Sequence, residues 1–367
     1  MLISLFLALH TVLVPSTTEN FFVGTYTSPD GSHGIYRVAL NVETGELAEP
    51  VLAGECAQPS FLALDSTGKN LYAVDESKEG KVNSFSVGAD LNLSFLNSKP
   101  TLGPAPCHLS VTPGNKMVLA ANYTGGDVVA LPIKSDGSLD TSSSYFQNFG
   151  SGPYTERQEH SHMHSIQVDP AHRLCYACDL GTDELLLFPF DKTAGTANLA
   201  NPIRVKTPMA AGPRHLVFHP KGKFVYVANE LSCTVSAYKV DAKTGQLTDV
   251  QDIPTVPPTV GPHTSTVAEI ALHPNGKYLY VSNRGYDSVA CYEIAKDGLL
   301  KPLDIKKLSV HQPRGFAIDP SGRWFVVGGQ SSHDLVSLPL DPKTGLLGDE
   351  GKKVVVHSPV CLVFAKS

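Results

Sequence analysis

The chain has no run of Lys and Arg, no extended 3.6-residue apolar period, no cysteine framework, no low-complexity tract and no G-x-S-x-G elbow. Each absence removes a class of protein. With 29 Lys and Arg against 35 Asp and Glu, the formal charge is −6, and no basic cluster is present to attract a phosphate backbone. Nucleic acid is therefore not an expected partner, and any anion must be met locally. The missing helical period argues against helical and α/β folds. The seven cysteines (56, 107, 175, 178, 233, 291 and 361) are odd in number and scattered, as expected of reduced thiols. Cys175 and Cys178 form a C-x-x-C, but inside strand-like LCYACD and without a second pair, so they read as core residues and not as a zinc or redox pair.

One apolar run stands apart. Residues 2–14 are too short to span a bilayer but fit a secretory h-region, although no basic n-region or A-x-A site accompanies them. Residues 1–18 are accordingly read as an apolar leader, either a signal peptide or an uncleaved or misassigned start, and residues 19–367 as one domain. No other segment is suited to cross a membrane.

What the chain does have is a repeat. Residues 212–231, GPRHLVFHPKGKFVYVANEL, read as a strand, a turn on Pro220, Lys221 and Gly222, and a second strand rich in β-branched and aromatic residues. Five further copies begin at Phe61, His108, Ser165, Glu269 and Gly315. Their turns, at Asp65, Thr112, Asp169, His219, His273 and Asp319, are 47, 57, 50, 54 and 46 residues apart, close to one four-stranded propeller blade. Seven outer turns fall between them, from ETGEL at Glu43 to KTGLL at Lys343. Seven outer turns and six inner hairpins leave one hairpin to be assembled from the termini, PVCLVF at 359–364 and FFVGTYT at 21–27. The expected fold is all-β: a seven-bladed β-propeller whose last blade is closed by the N- and C-terminal strands.

Arg214 and Glu230 lie eight residues either side of Gly222, so strand pairing should bring them together at the open end of the hairpin. The same count in other copies gives Ser60 and Glu76, Cys107 and Tyr123, His164 and Leu180, Ala268 and Arg284, and Arg314 and Gln330. A layer holding three Arg, two Glu and a His on one rim is costly unless paired or offered to a ligand. One step inside, Asp75, Asn122, Asp179, Asn229 and Asn283 recur so regularly that a blade-building role is expected. In EHSHMHS, His160, His162 and His164 alternate and would share a face if extended. A metal is one reading. The other, which we favour, is a single working His164 with solvated neighbours.

These stretches, GPRHLVFHPKGKFVYVANEL with HMHSIQVDP before it and SNRG and QPRGF after it, resemble the seven-bladed propeller lactonases of the cycloisomerase 2 family, which also includes fungal carboxymuconate lactonizing enzymes. The resemblance runs over about residues 21–364. It implies a lactone-opening enzyme without metal or other cofactor, with its site at the channel mouth and a small-molecule sugar-phosphate lactone as partner. It implies catalytic His164, Arg214, Glu230 and Arg284, and substrate contacts from Arg314, Gln330, His108 and Tyr123. His164 is the favoured base, Glu230 being held ionised by Arg214, while Arg284 and Arg314 suit an anionic group. Family members are cytoplasmic, whereas a signal peptide would mean a periplasmic or secreted protein. A carboxymuconate or other sugar-acid lactone is the alternative substrate, and a non-catalytic protein-binding propeller, with an apolar or aromatic face, is the alternative of another class.

Overall fold

A computed structural model describes residues 17–366 apart from Pro262, and the expected leader lies outside these except for Thr17 and Thr18. Thr18 already opens the first strand, paired with Asn41, one residue ahead of the boundary drawn from sequence. Among the described residues there are 29 strands and no helix, grouped in seven sheets of which six are four-stranded and one carries a fifth short strand. The inner strands are Leu62–Leu64, Pro106–Val111, Met163–Val168, Pro213–Phe218, Thr266–Leu272, Pro313–Ile318 and Pro359–Phe364. Each touches the inner strand before and after it, so they surround one axis. Blades are numbered 1 to 7 in this order.

The termini close the ring as expected. Pro359–Phe364 pairs antiparallel with Thr18–Thr25, Phe21 opposite Phe364 and Val23 opposite Leu362. Each middle strand is pressed between two neighbouring blades and therefore buries both faces. In Phe224–Asn229, Val225 and Val227 join the cluster shared with blade 3, while Tyr226 and Ala228 join the one shared with blade 5. Seven such apolar clusters occupy the seven gaps between blades. Alternation explains Cys175 and Cys178 too: three positions apart in one strand they face opposite clusters, both buried and free.

The outer turns act between blades. Tyr72, Tyr226 and Tyr280 each donate a hydroxyl proton to the carbonyl of an outer-turn glycine in the next blade, Gly137, Gly298 and Gly345, at 3.0, 2.9 and 2.9 Å. Those glycines have positive φ, which leaves the carbonyl turned inward where a residue with a Cβ would be strained. The Asp/Asn layer has the expected local role. Asp179 accepts backbone protons from His162 and Gly181 and a proton from Ser161 Oγ, and Asn283 bonds Thr255 and Ser288.

A chain ending at Ser358 loses the inner strand of blade 7 and its share of two apolar clusters. It should melt roughly 10 °C or more below the full chain, or fail to fold. An unchanged melting temperature by circular dichroism would contradict closure by both ends.

Candidate functional site

Six inner strands carry a β-bulge near the start of the strand. In blades 2, 3, 4 and 6 the unpaired residue is Cys107, His164, Arg214 and Arg314 respectively. The register of blade 4 runs Pro213 to Asn229 and then His215 to Ala228, so Arg214 does not face Glu230 as a cross-strand pair. A bulge frees a side chain from the pleat and aims it off the sheet plane. Released in this way, Arg214 swings into the channel and still reaches Glu230, which lies one residue past its strand.

Glu230 is the centre of the layer. Its Oε2 accepts from Arg214 Nε at 3.0 Å and its Oε1 from Arg157 Nη2 at 2.6 Å, while Arg284 Nη2 forms an ion pair with Oε2 at 3.0 Å. His164 Nε2 stands 3.8 Å from Oε2. Burial alone would raise the Glu230 carboxyl, but Arg284, Arg214 and Arg157 overcome it and hold the group far below the ordinary carboxylate range. Arg284 is itself brought down by burial to about 10, still protonated at neutral pH. His164 is lowered by burial and then by Arg214, so its imidazole is neutral. Arg214 and Arg284 are further fixed by the carbonyls of Ala268 and Val267, at 2.7 and 3.1 Å.

A cavity of about 190 Å³ opens over this cluster, lined by Tyr26, Glu76, Cys107, Tyr123, Arg157, His164, Glu230, Arg284 and Arg314. Tyr26 donates to Glu76 at 2.9 Å, and the Arg314 guanidinium lies over the Tyr26 ring, 5.6 Å from its centre. Tyr123 OH accepts from Arg157 at 3.2 Å. Burial keeps the Cys107 thiol protonated, which disfavours a thiolate nucleophile. The wall is charged and polar, unlike the apolar face that a protein-binding propeller would present.

Of the residues expected from sequence, His164, Arg214, Glu230, Arg284, Arg314 and Tyr123 meet in this layer. Two do not. His108 follows the bulged Cys107 and points one level deeper, packed at a tilt on Phe61 with ring centres 4.4 Å apart and set edge-on to His215 at 5.3 Å. Gln330 is absent from the cavity wall, and its backbone N–H donates to Gln312 O at 3.2 Å. His160, His162 and His164 do not lie along one extended strand, because only His164 enters it, although the His160 and His162 rings are 4.1 Å apart. His162 is not solvated either: it is buried and stacked on Tyr123 at 4.4 Å.

Two lining residues were missed. Arg157 comes from the connection between blades 2 and 3, where the turn-to-turn spacing of 57 is the longest of the five, a mark of inserted chain. Gln158 anchors that insertion, its side-chain amide donating to Leu180 O at 2.8 Å and Asp183 Oδ1 at 2.7 Å. Tyr26 is the blade 7 counterpart of Glu230, hidden because that hairpin has no turn from which to count.

The family model described as "Lactonase, 7-bladed beta-propeller" matches residues 20–364. The 6-phosphogluconolactonase of Bacillus subtilis is 34% identical over 346 residues, 94% of this chain and 97% of that one. A periplasmic gluconolactonase structure from Pseudomonas aeruginosa superposes with a TM-score of 0.89 at 27% identity, covering 95% and 99% of the two chains. A Lactobacillus plantarum protein gives 0.88 at 30% identity, covering 95% and 100%.

Because the folded Glu230 is more acidic than the unfolded one, its ion cluster stabilises the fold above the unfolded pKa of about 4.3, and that contribution is lost as pH falls toward the folded value. Glu230→Gln should therefore cost about 3–5 kcal/mol at pH 7, by leaving buried arginines without their anion. The cost should shrink below about pH 4. Denaturant titrations of both proteins from pH 3 to 8 check this, and a difference independent of pH would refute it.

Proposed function

The chain belongs to the seven-bladed β-propeller lactonase family, and within it we propose that this enzyme hydrolyses 6-phospho-D-glucono-1,5-lactone to 6-phosphogluconate, a step of the pentose phosphate pathway. The observation that carries the phosphorylated substrate is the state of Arg314. Arg214 and Arg284 are held on Glu230 and the more exposed Arg157 is paired with it, whereas the Arg314 guanidinium has no hydrogen bond or ion pair among the described residues and lines the cavity. A half-buried guanidinium that faces the cavity with no direct ion pair, and only the more distant carboxylates of Glu76 and Glu230 acting on it, suits a substrate that brings its own anion.

In this reading His164 Nε2 takes a proton from water as the water oxygen adds to the lactone carbonyl. The carbonyl oxygen becomes an oxyanion facing Arg157 and Arg284. Collapse breaks the bond between the carbonyl carbon and the ring oxygen, which recovers the proton from His164 as a hydroxyl, leaving a free acid that ionises. Glu230 is a poor base because both its oxygens already accept arginine protons. It serves to position the three guanidinium groups.

With spontaneous hydrolysis subtracted, His164→Ala should lower kcat by about 10²–10⁴-fold, the usual contribution of a general base. Arg314→Ala should raise KM for the phosphorylated lactone by about tenfold or more and leave turnover of unphosphorylated glucono-1,5-lactone within about twofold, since only an ion pair to phosphate is lost. Equal losses on both lactones would overturn the role of Arg314, and full activity of His164→Ala would overturn that of His164.

A further inference from the structure

On the rim of the mouth, Glu159, His160 and His162 bring three donor atoms within 4.8 Å of one another. The geometry fixes which nitrogens they offer. His160 Nδ1 lies 2.7 Å from the carbonyl of Ser161 and His162 Nδ1 lies 3.0 Å from the carbonyl of Tyr123. A carbonyl only accepts, so both Nδ1 atoms carry the proton. In the neutral rings, both Nε2 lone pairs are then turned on one carboxylate oxygen, Glu159 Oε1, at 3.5 Å from His160 and 3.2 Å from His162. Lone pairs facing an anion repel unless a cation lies between them. Donor atoms around a tetrahedral zinc are about 3.3 Å apart, since each bond is about 2.0–2.1 Å. An Nδ1–H bonded to a backbone carbonyl is also the arrangement that orients metal-bound histidines.

We propose that Glu159, His160 and His162 form a site for a divalent transition metal of the zinc type, which clamps the inserted loop at the channel mouth. The ion takes no part in bond breaking. His162 is stacked on Tyr123, whose hydroxyl meets Arg157, so a metal here joins the loop at a point two residues beyond Arg157 and holds it against blade 2. Glu159 and His160 are half-exposed, which leaves a coordination position for water and lets either be replaced without disturbing the core. This site is separate from the reaction assigned above and does not depend on it.

Full-length, tag-free protein is loaded with Zn²⁺, passed through a desalting column and assayed for metal by mass spectrometry, with titration calorimetry for affinity. Co²⁺ in place of Zn²⁺ gives a visible spectrum that reports low coordination. The expected result is one equivalent per chain, with affinity at least about tenfold weaker in both Glu159→Gln and His160→Ala, an effect that even outer-shell changes can reach. Circular dichroism of the variants should match the parent. Loading of the parent no greater than that of the variants would overturn the proposal, since the remaining histidines would then account for the metal and protons alone would bridge the cluster.

Discussion

A carboxylate buried at the mouth of a channel cannot stand alone, and the architecture of the whole upper layer follows from how Glu230 is satisfied. Its two oxygens draw in Arg214 from the same blade, Arg284 from the next and Arg157 from the loop ahead of blade 3. Arg284 and Arg157 thereby reach Glu230 across blade boundaries, and Arg214 crosses one through the Ala268 carbonyl, so the ion cluster joins pieces of chain that the apolar clusters alone hold only side by side. Desolvating four charges is expensive, and burial by itself pushes every one of them toward neutrality. What offsets that cost is the attraction between one carboxylate and three guanidinium groups, helped by the carbonyls of Ala268 and Val267, although the buried Arg284 Nε has no partner among the described residues.

The same constraint explains the bulges. A regular inner strand would send alternate side chains into the flanking blades, where arginine has no place. Opening the pairing near the start of six of the seven inner strands lets the blade keep its apolar alternation below and release a side chain above. His164, Arg214 and Arg314 occupy that position in three blades, while Cys107 occupies it in a fourth. One backbone device, repeated around the axis, thus delivers different chemistry at each step.

That repetition is why so much was legible in the residues themselves. Blade number, the closing pair of terminal strands and the composition of the mouth all follow from counting along a repeat, because each blade is one supersecondary unit with fixed offsets from its turn. Counting fails where the offset no longer applies. Gln330 has the right offset, yet it lies outside the cavity wall because offset specifies height and not the direction in which a side chain turns. His108 sits one step past the bulge and so points deeper than the mouth, which its nearness to Cys107 in sequence conceals. Arg157 lies in inserted chain that belongs to no repeat, and Tyr26 in a hairpin split between the termini. Both are non-local, and only the spacing of 57 residues hinted at the first.

Of the three arginines on Glu230, Arg157 differs in kind. Arg214 and Arg284 are rooted in strands and nearly buried, with side chains 2% and 14% exposed, whereas Arg157 is 35% exposed and sits on a loop. An ion pair open to water is screened and loses less when exchanged for another partner. Arg214 and Arg284 therefore set the charge state of Glu230, and Arg157 is the member of the cluster that can turn toward an incoming anion at small cost. The loop's own anchors, Gln158 on Leu180 and Asp183 and the Tyr154 ring on His263 at 4.5 Å, confine that movement to the side chain. Rigidity in the strands and adjustability in one inserted residue are thus divided between the parts of the chain that the repeat does and does not dictate.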